Sequence, residues 1–195
     1  MADESGERRQ KLVDGQLRTG GVNDPAVLAA FLAVPREKYV AGASLTLAYS
    51  DRPLSARSDA SALLPPLKLA RLIQALGVRP GDCVLAVGGG GYSAALLSAM
   101  GAAVTEISPA AAAAPSAIAV GYRSILVSGG FAVDPVSLLA TLAPGGKLAG
   151  FRLSPSGDHA VVMESAAAGG TDETVIFEGS APVLAAFKRP AAFAF

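Results

Sequence analysis

The spacing of apolar positions along the chain alternates between helical and strand-like periods. Helical spacing and capping residues predict helices after Asn23-Asp24-Pro25 and after Pro65-Pro66. Short, continuous apolar runs predict buried strands. The predicted elements are a polar helix at 7–16, helices at 26–33 and 67–76, strands at 83–87 and 104–106 with a helix at 93–100 between them, a strand at 124–128, a helix at 135–142, a strand at 147–153, and two β-rich segments at 159–165 and 174–178.

This order of elements predicts an α/β fold. Strands alternate with helices in the middle of the chain, and hairpin-like strands follow, so we expect a mostly parallel sheet with a C-terminal antiparallel pair. Residues 55–62 are small and polar and predict a surface loop, and Pro144-Gly145-Gly146 predicts a turn. The tail at 185–195 predicts a last strand or an extended cover.

The main chemical signal is an apolar strand that ends at four consecutive glycines and turns into a helix. Glycine accepts positive φ and lets a ligand approach the backbone, and the helix that follows presents free N–H groups. Glu106 ends the next predicted strand, where an acid in a βαβ unit can accept hydrogen bonds from ribose hydroxyls. We therefore predict a nucleotide-type cofactor site, whose contacts are Gly88, Gly89, Gly90, Gly91, Tyr92 and Glu106.

The amino-acid composition argues against some classes of protein. The chain has 195 residues with 51% hydrophobic and 16% charged, a globular composition, and its 16 basic residues balance its 16 acidic ones, which argues against nucleic-acid binding. The run from Cys83 to Thr105 has no charge, but glycines interrupt it, so we predict no transmembrane segment. The charged N-terminus shows no signal peptide, and we expect a cytoplasmic protein.

Two single residues carry weaker signals. Cys83 is the one cysteine and is predicted to be a buried thiol without a disulfide. His159 is the one histidine, and we expect an exposed polar residue rather than a catalytic one. No metal site is predicted.

The order and spacing of several segments resemble the protein-L-isoaspartate O-methyltransferase family. The residues that carry this resemblance are Gln16-Leu17, Gly21-Val22, Asp24, Val27-Leu28, Val34-Pro35-Arg36-Glu37, Tyr39-Val40, Ala48-Tyr49, Asp51, Pro53-Leu54, the stretch 84–95, Ile125-Leu126-Val127 and the stretch 142–148. The resemblance implies a Rossmann-like class I methyltransferase fold in one domain, 1–195, with a helical, substrate-side region at 1–80 and a cofactor-binding core at 81–195. It also implies S-adenosylmethionine as cofactor and isoaspartyl residues of damaged proteins or peptides as substrate.

Four departures from the family pattern bear on activity. Ala86 stands where the family has an aspartate, and the glycine turn is one residue shorter. Ser61-Ala62-Leu63-Leu64-Pro65 replaces a Thr-Ile-Ser-Gln-Pro type segment, so Ser61 is the one stand-in for the hydroxyl groups near the substrate. Only about eighteen residues separate Glu106 from Ile125, where the family usually has a helix, a third strand and a turn. The third strand is therefore expected to be lost.

Three interpretations remain open. The first is protein repair by methyl transfer to L-isoaspartyl carboxylates. The second is a catalytically inactive relative that acts as an interaction module or an accessory subunit of a larger assembly. The third is a methyltransferase with a different acceptor, because Leu63-Leu64 makes the acceptor side apolar. Loss of the third strand would also make the strand ending at Glu106 a sheet edge that could pair with a protein partner, unless residues 109–119 cover it.

Overall fold

The helices of the computed structural model lie mainly in the first half of the chain. It describes residues 4–42, 44–58, 61–113, 119–165 and 170–189. The α-helices are α1 (Glu4–Leu12), α2 (Pro25–Ala33), α3 (Leu45–Ala48), α4 (Pro66–Leu76), α5 (Tyr92–Ala99) and α6 (Val136–Leu139), and a π-helical turn (Val13–Leu17) continues α1. Within these ranges, every helix is too short or too polar to cross a lipid bilayer.

The strands form one small hairpin and one large sheet. They are β1 (Leu54–Ser55), β2 (Ala62–Leu63), β3 (Cys83–Val87), β4 (Ala103–Ile107), β5 (Tyr122–Phe131), β6 (Leu142–Arg152), β7 (His159–Ser165) and β8 (Thr171–Glu178). The large sheet has the order β4-β3-β5-β6-β7-β8; its first four strands are parallel, and β7 and β8 add antiparallel pairs. The predicted α/β fold is confirmed, and β4 is an edge strand of this sheet.

The central strand β3 shows how the sheet separates two apolar layers. Val84 and Ala86 face a core shared with α2, α4 and α5, whereas Leu85 and Val87 face a second core. The second core is closed by short pieces of chain, including Leu138 of α6 and Phe187 of a 3₁₀ turn. The first core contains residues from Leu12 to Ala181 and so joins the N-terminal helices to the sheet.

Several local predictions are wrong. The predicted surface loop at 55–62 is wrong at its ends, because β1 pairs antiparallel with β2 and Ala56 is buried, whereas Arg57 and Ser58 are exposed outside the strands. Cys83 is exposed, because it is the first residue of β3 and precedes the buried part of the strand. The predicted helix at 135–142 is only the short α6, and β6 already begins at Leu142.

Other predictions are modified or fall outside the described residues. The predicted turn at Gly145 is an irregularity inside β6, where Tyr122 pairs with Leu142 and Ser124 with Lys147. The predicted cover at 109–119 includes a 3₁₀ turn at Ala111–Ala113, whereas residues 114–118 lie outside the described part of the chain. The tail at 185–195 begins with a 3₁₀ turn, and residues 190–195 are not described.

Arg36 connects the N-terminal region to the sheet. Its side chain is fully buried, with Nε donating to Ala48 O at 2.9 Å and Nη2 donating to Leu64 O at 2.9 Å. The guanidinium also lies 5.0 Å from the ring centroid of Tyr92, the first residue of α5. Burial lowers the pKa of Arg36, and the neighbouring Tyr92 opposes that shift. One side chain therefore fixes three separate segments relative to one another.

Glu37, which follows Arg36, connects the segment after α2 to α1. Its carboxylate accepts hydrogen bonds from the hydroxyls of Ser5 and Tyr49, and Arg9 donates in turn to Ser5. Burial acts to raise the pKa of Glu37, but the Ser5 and Tyr49 hydrogen bonds outweigh it, so the pKa lies below 4.5. Burial and the Glu37 hydrogen bond raise the pKa of Tyr49. The ionised form of Glu37 is therefore the one that holds α1 in place.

We expect Arg36→Met to lower the free energy of unfolding by about 2–4 kcal/mol, because two buried carbonyl oxygens lose their donors. Arg36→Lys should also destabilise, since one ammonium cannot reproduce the two directed N–H groups. Urea denaturation measures both. The matched control is Arg18→Met at an exposed site, where a change within about 0.5 kcal/mol is expected. An Arg36→Met protein as stable as the control variant would contradict this role.

The Glu37 cluster predicts a specific dependence of stability on pH. Folding lowers the pKa of Glu37 below its ordinary value. The contribution of Glu37 to the free energy of unfolding is therefore fully present above that ordinary value and is lost as the pH falls through the folded-state pKa. Urea midpoints measured between about pH 6 and pH 3 should therefore fall less steeply for Glu37→Gln than for the wild type. Glu7→Gln, on the exposed side of α1, should follow the wild type. Parallel curves for all three proteins would show that Glu37 does not couple folding to pH.

Candidate functional site

The glycine turn joins β3 to α5 at the carboxyl edge of the parallel strands. Gly88, Gly89, Gly90 and Gly91 have φ of +69°, +83°, +55° and +82°. Side chains rarely adopt this left-handed region, so all four positions favour glycine. Gly88 N also donates to Ile107 O at 3.0 Å, which holds the turn against the end of β4.

Two buried hydroxyls pack directly against Gly89. Ser93 of α5 and Ser128 of β5 share a hydrogen bond of 2.7 Å. A Cβ at Gly89 would lie 2.5 Å from Ser93 Oγ and 2.8 Å from Ser128 Oγ. Gly89 is therefore required by packing as well as by its φ, and the serine pair connects the turn to the centre of the sheet.

Glu106 lies against the turn, as the sequence predicts for a ribose-binding acid. Gly91 N donates to Glu106 Oε1 at 2.8 Å, and Glu106 is exposed. In register, Glu106 pairs with Ala86, two residues before the turn. The structure thus brings a solvent-accessible carboxylate and a glycine backbone amide together in one place, as hydroxyl recognition requires.

The β1–β2 hairpin covers the other side of the turn. Ala56 packs so closely on Gly90 that a Cβ at Gly90 would lie 2.3 Å from the Ala56 Cβ. The hairpin is held by Arg57 N donating to Tyr39 O at 2.8 Å and by Ala56 N donating to Ser61 O at 2.9 Å. Residues 59 and 60, which lie between the two strands in the sequence, are outside the described residues.

Ser61 is therefore close in the fold to the predicted cofactor contacts. It is half-buried and immediately precedes β2, and its carbonyl binds the residue that packs on Gly90. Leu63 and Leu64 follow and are buried, so the apolar side chains predicted for the acceptor side face inward.

Tyr92 is placed differently from the other predicted contacts. Its ring is buried, at 6.1 Å from the Phe31 ring and 5.5 Å from the Tyr39 ring, measured between centroids. Burial raises the pKa of its hydroxyl. Because the side chain packs in the core beneath the turn, any contact between Tyr92 and a cofactor is confined to its backbone.

The polar groups at the glycine turn fit the sugar part of an adenosyl cofactor. Glu106 supplies a carboxylate for ribose hydroxyls, and the left-handed glycines supply a backbone that a ligand can approach closely. Ala86 is completely buried and carries no polar group, so it adds nothing to this set. Among the described residues, no strand lies beyond β4, where the family pattern has a third strand.

Sequence reasoning missed several residues that shape the site. Tyr39 packs on Gly91, since a Cβ at Gly91 would lie 3.4 Å from its ring, and Ser93 and Ser128 support Gly89. Ser128 ends the predicted strand 124–128, which was a usable signal because the carboxyl ends of parallel strands surround such a site. Ala56 gave no such signal. His159 is half-buried at the start of β7, with Nδ1 3.1 Å from Gly157 O.

Comparison with known proteins gives sequence relatives along most of the chain. The chain is 37% identical over 166 residues to the protein-L-isoaspartate O-methyltransferase of Methylorubrum extorquens (strain PA1), covering 73% of this chain and 72% of that protein. It is 42% identical over 124 residues to the enzyme of the same name from Gloeobacter violaceus, covering 61% and 60% of the two chains.

Solved structures agree in fold. One protein-L-isoaspartate O-methyltransferase matches with a TM-score of 0.74 at 22% identity, over 90% of this chain and 65% of that one. A beta-aspartate methyltransferase from Plasmodium falciparum, solved in complex with S-adenosyl-L-homocysteine, matches with a TM-score of 0.70 at 20% identity, over 90% and 97% of the two chains. These matches confirm the methyltransferase fold.

The family model of protein-L-isoaspartate(D-aspartate) O-methyltransferase matches residues 7–109, just over half of the chain. That span contains the N-terminal helices, the hairpin, the glycine turn and Glu106. The chain therefore belongs to the protein-L-isoaspartate O-methyltransferase family.

Proposed function

We propose that this protein transfers a methyl group from S-adenosylmethionine to the carboxylate of L-isoaspartyl residues in damaged proteins. One observation carries the proposal: the Glu106 carboxylate and the Gly91 amide are joined at 2.8 Å at the carboxyl edge of a methyltransferase sheet. Family membership supports the reaction, and the S-adenosyl-L-homocysteine in the Plasmodium falciparum structure supports the cofactor class.

The reaction depends on alignment of the methyl donor with the acceptor carboxylate more than on acid–base catalysis. When bound, S-adenosylmethionine supplies an electrophilic methyl group on a sulfonium. An ionised acceptor carboxylate needs no general base, so catalysis can rest on positioning. The roles of this chain are to hold the ribose at Glu106, to let the cofactor approach the glycine backbone, and to order the hairpin that carries Ser61.

The acceptor side is the β1–β2 hairpin in this proposal. Ser61 follows the hairpin tip and is the hydroxyl nearest in sequence to the buried Leu63-Leu64 pair. Arg36 fixes the position of this hairpin, because its Nη2 binds Leu64 O while its guanidinium stacks on Tyr92 below the turn. The acceptor segment and the cofactor segment are thus connected through a single buried side chain.

Two earlier predictions remain predictions. The proposed location is the cytoplasm. The edge strand β4, with Ala103, Thr105 and Glu106 exposed, remains a predicted surface for a protein partner. Hydrogen exchange that shows the outward amides of β4 already protected in the monomer would contradict partner binding there.

Calorimetric titration tests the cofactor role of Glu106. We expect micromolar binding of S-adenosylmethionine, about −8 kcal/mol, and at least about tenfold weaker binding by Glu106→Ala, because a charge-assisted hydrogen bond is lost. Glu178→Ala is the matched control, since Glu178 is an exposed acid at the end of another strand.

Two outcomes would contradict the proposal. Unchanged affinity in Glu106→Ala would remove Glu106 from the site. Absence of binding by the wild type up to about millimolar ligand would favour the catalytically inactive interaction module.

A methylation assay tests the reaction separately. A peptide with one L-isoaspartyl residue should accept the methyl group, whereas the same peptide with L-aspartate should not. Cofactor binding without methylation of the isoaspartyl peptide would favour the third interpretation, a methyltransferase with a different acceptor.

A further inference from the structure

A polar cavity lies at the amino ends of the parallel strands, on the opposite side of the sheet from the carboxyl ends that carry the glycine turn. It has a volume of about 220 Å³ and is lined by the C-terminal turn of α4 and by Arg79, Asp82, Arg123, Ser124 and Lys147. Asp82 directly precedes β3, and Arg123 and Ser124 lie near the start of β5, so the cavity is at the amino ends of these parallel strands.

Three cationic side chains from three chain segments converge on this cavity. Arg79 comes from the turn after α4, Arg123 from β5 and Lys147 from β6, where Lys147 is the register partner of Ser124. Arg123 Nη1 donates to Gly145 O, which fixes the guanidinium before any ligand arrives. Such convergence is notable in a chain whose total charge is balanced.

Two carboxylates lie close to these three cations. Asp82 Oδ2 accepts from Arg79 N at 2.9 Å and closes the turn before β3. Glu164 of β7 lies beside Lys147, with 3.7 Å between Oε2 and Nζ. The C-terminus of α4 adds a partial negative charge of about half an elementary charge. Against the three cations, the two carboxylates and the helix C-terminus leave a positive excess of about half an elementary charge.

The hydroxyl of Ser124 adds a neutral hydrogen-bonding group. Ser124 is only 2% exposed, yet it lines the cavity between Arg123 and the strand β6. The volume is below the range of about 300–1,000 Å³ that holds drug-sized ligands, so the occupant is small. A small anion with several acceptor oxygens matches two guanidinium groups, an ammonium and a hydroxyl.

We propose that this cavity binds phosphate, either as inorganic phosphate or as the phosphoryl group of a small phosphomonoester. Phosphate carries more charge than a carboxylate and offers oxygens in several directions, which suits cations that arrive from three segments. The site is separate from the methyl-transfer edge and does not depend on the proposed reaction.

Calorimetry at constant ionic strength tests this site, with inorganic phosphate and a pentose 5-phosphate as probes, because exposed cations are sensitive to salt. Wild-type protein should bind with a dissociation constant of about 1 mM or lower. Arg123→Gln and Lys147→Gln should each weaken binding about tenfold, since a charge-assisted contact is lost. Glu164→Gln should strengthen binding, because it removes the carboxylate that competes for Lys147.

Arg18→Gln is the matched control for loss of an exposed arginine, and its affinity should equal that of the wild type. Tighter binding of the sugar phosphate would assign the site to a phosphomonoester, and equal binding would assign it to free phosphate. No heat of binding up to about 10 mM phosphate would overturn the proposal. Equal losses of affinity in Arg18→Gln and Arg123→Gln, or weaker phosphate binding by Glu164→Gln, would also overturn it.

Discussion

The candidate site depends on four consecutive residues that all adopt left-handed backbone conformations. The turn Gly88–Gly91 reverses the chain between β3 and α5 within four residues, and each residue has a positive φ. Absence of side chains lets the Ser93–Ser128 pair, Ala56 and Tyr39 approach the backbone. It also leaves the Gly91 amide directed at Glu106. A longer side chain at Gly89 or Gly90 would force apart the sheet, the helix or the hairpin.

The second determinant is the buried guanidinium of Arg36, which relates the two sides of the site. It contacts the helix after the glycine turn through Tyr92 and the acceptor-side hairpin through Leu64 O. Burying a charge is costly unless its polar groups are hydrogen-bonded. Nε and Nη2 of Arg36 reach backbone carbonyls at 2.9 Å, whereas the buried Nη1 has no hydrogen-bond partner among the described residues. This geometry explains how a short hairpin of two-residue strands keeps a fixed position over the turn.

Much of the fold was predictable because its signals are local. The apolar run of β3, the Asp24 cap of α2 and the positive-φ requirement of the glycines all act within a few residues. The edge position of β4 followed from the short interval before β5, and Glu106 lies beside the glycine turn because β3 and β4 are parallel and end on the same side of the sheet.

The features that the sequence did not reveal depend on contacts between distant segments. Ala56 looks like part of a polar loop, and only its bridge to Val40 and its packing on Gly90 make it structural. The inward orientation of Tyr92 depends on Arg36 and Phe31, which lie far away in the sequence. The cavity formed by Arg79, Arg123 and Lys147 likewise requires three segments to meet, so composition alone could not reveal it.

The central claim is that the glycine turn and Glu106 form the cofactor site. Amide chemical shifts measured by NMR during titration with S-adenosyl-L-homocysteine test it most directly. The account predicts saturable shifts at Gly88–Gly91, with the Gly91 amide among the largest because its present acceptor is Glu106. Ligand binding that leaves these four amides unchanged, or no shift anywhere, would contradict the account.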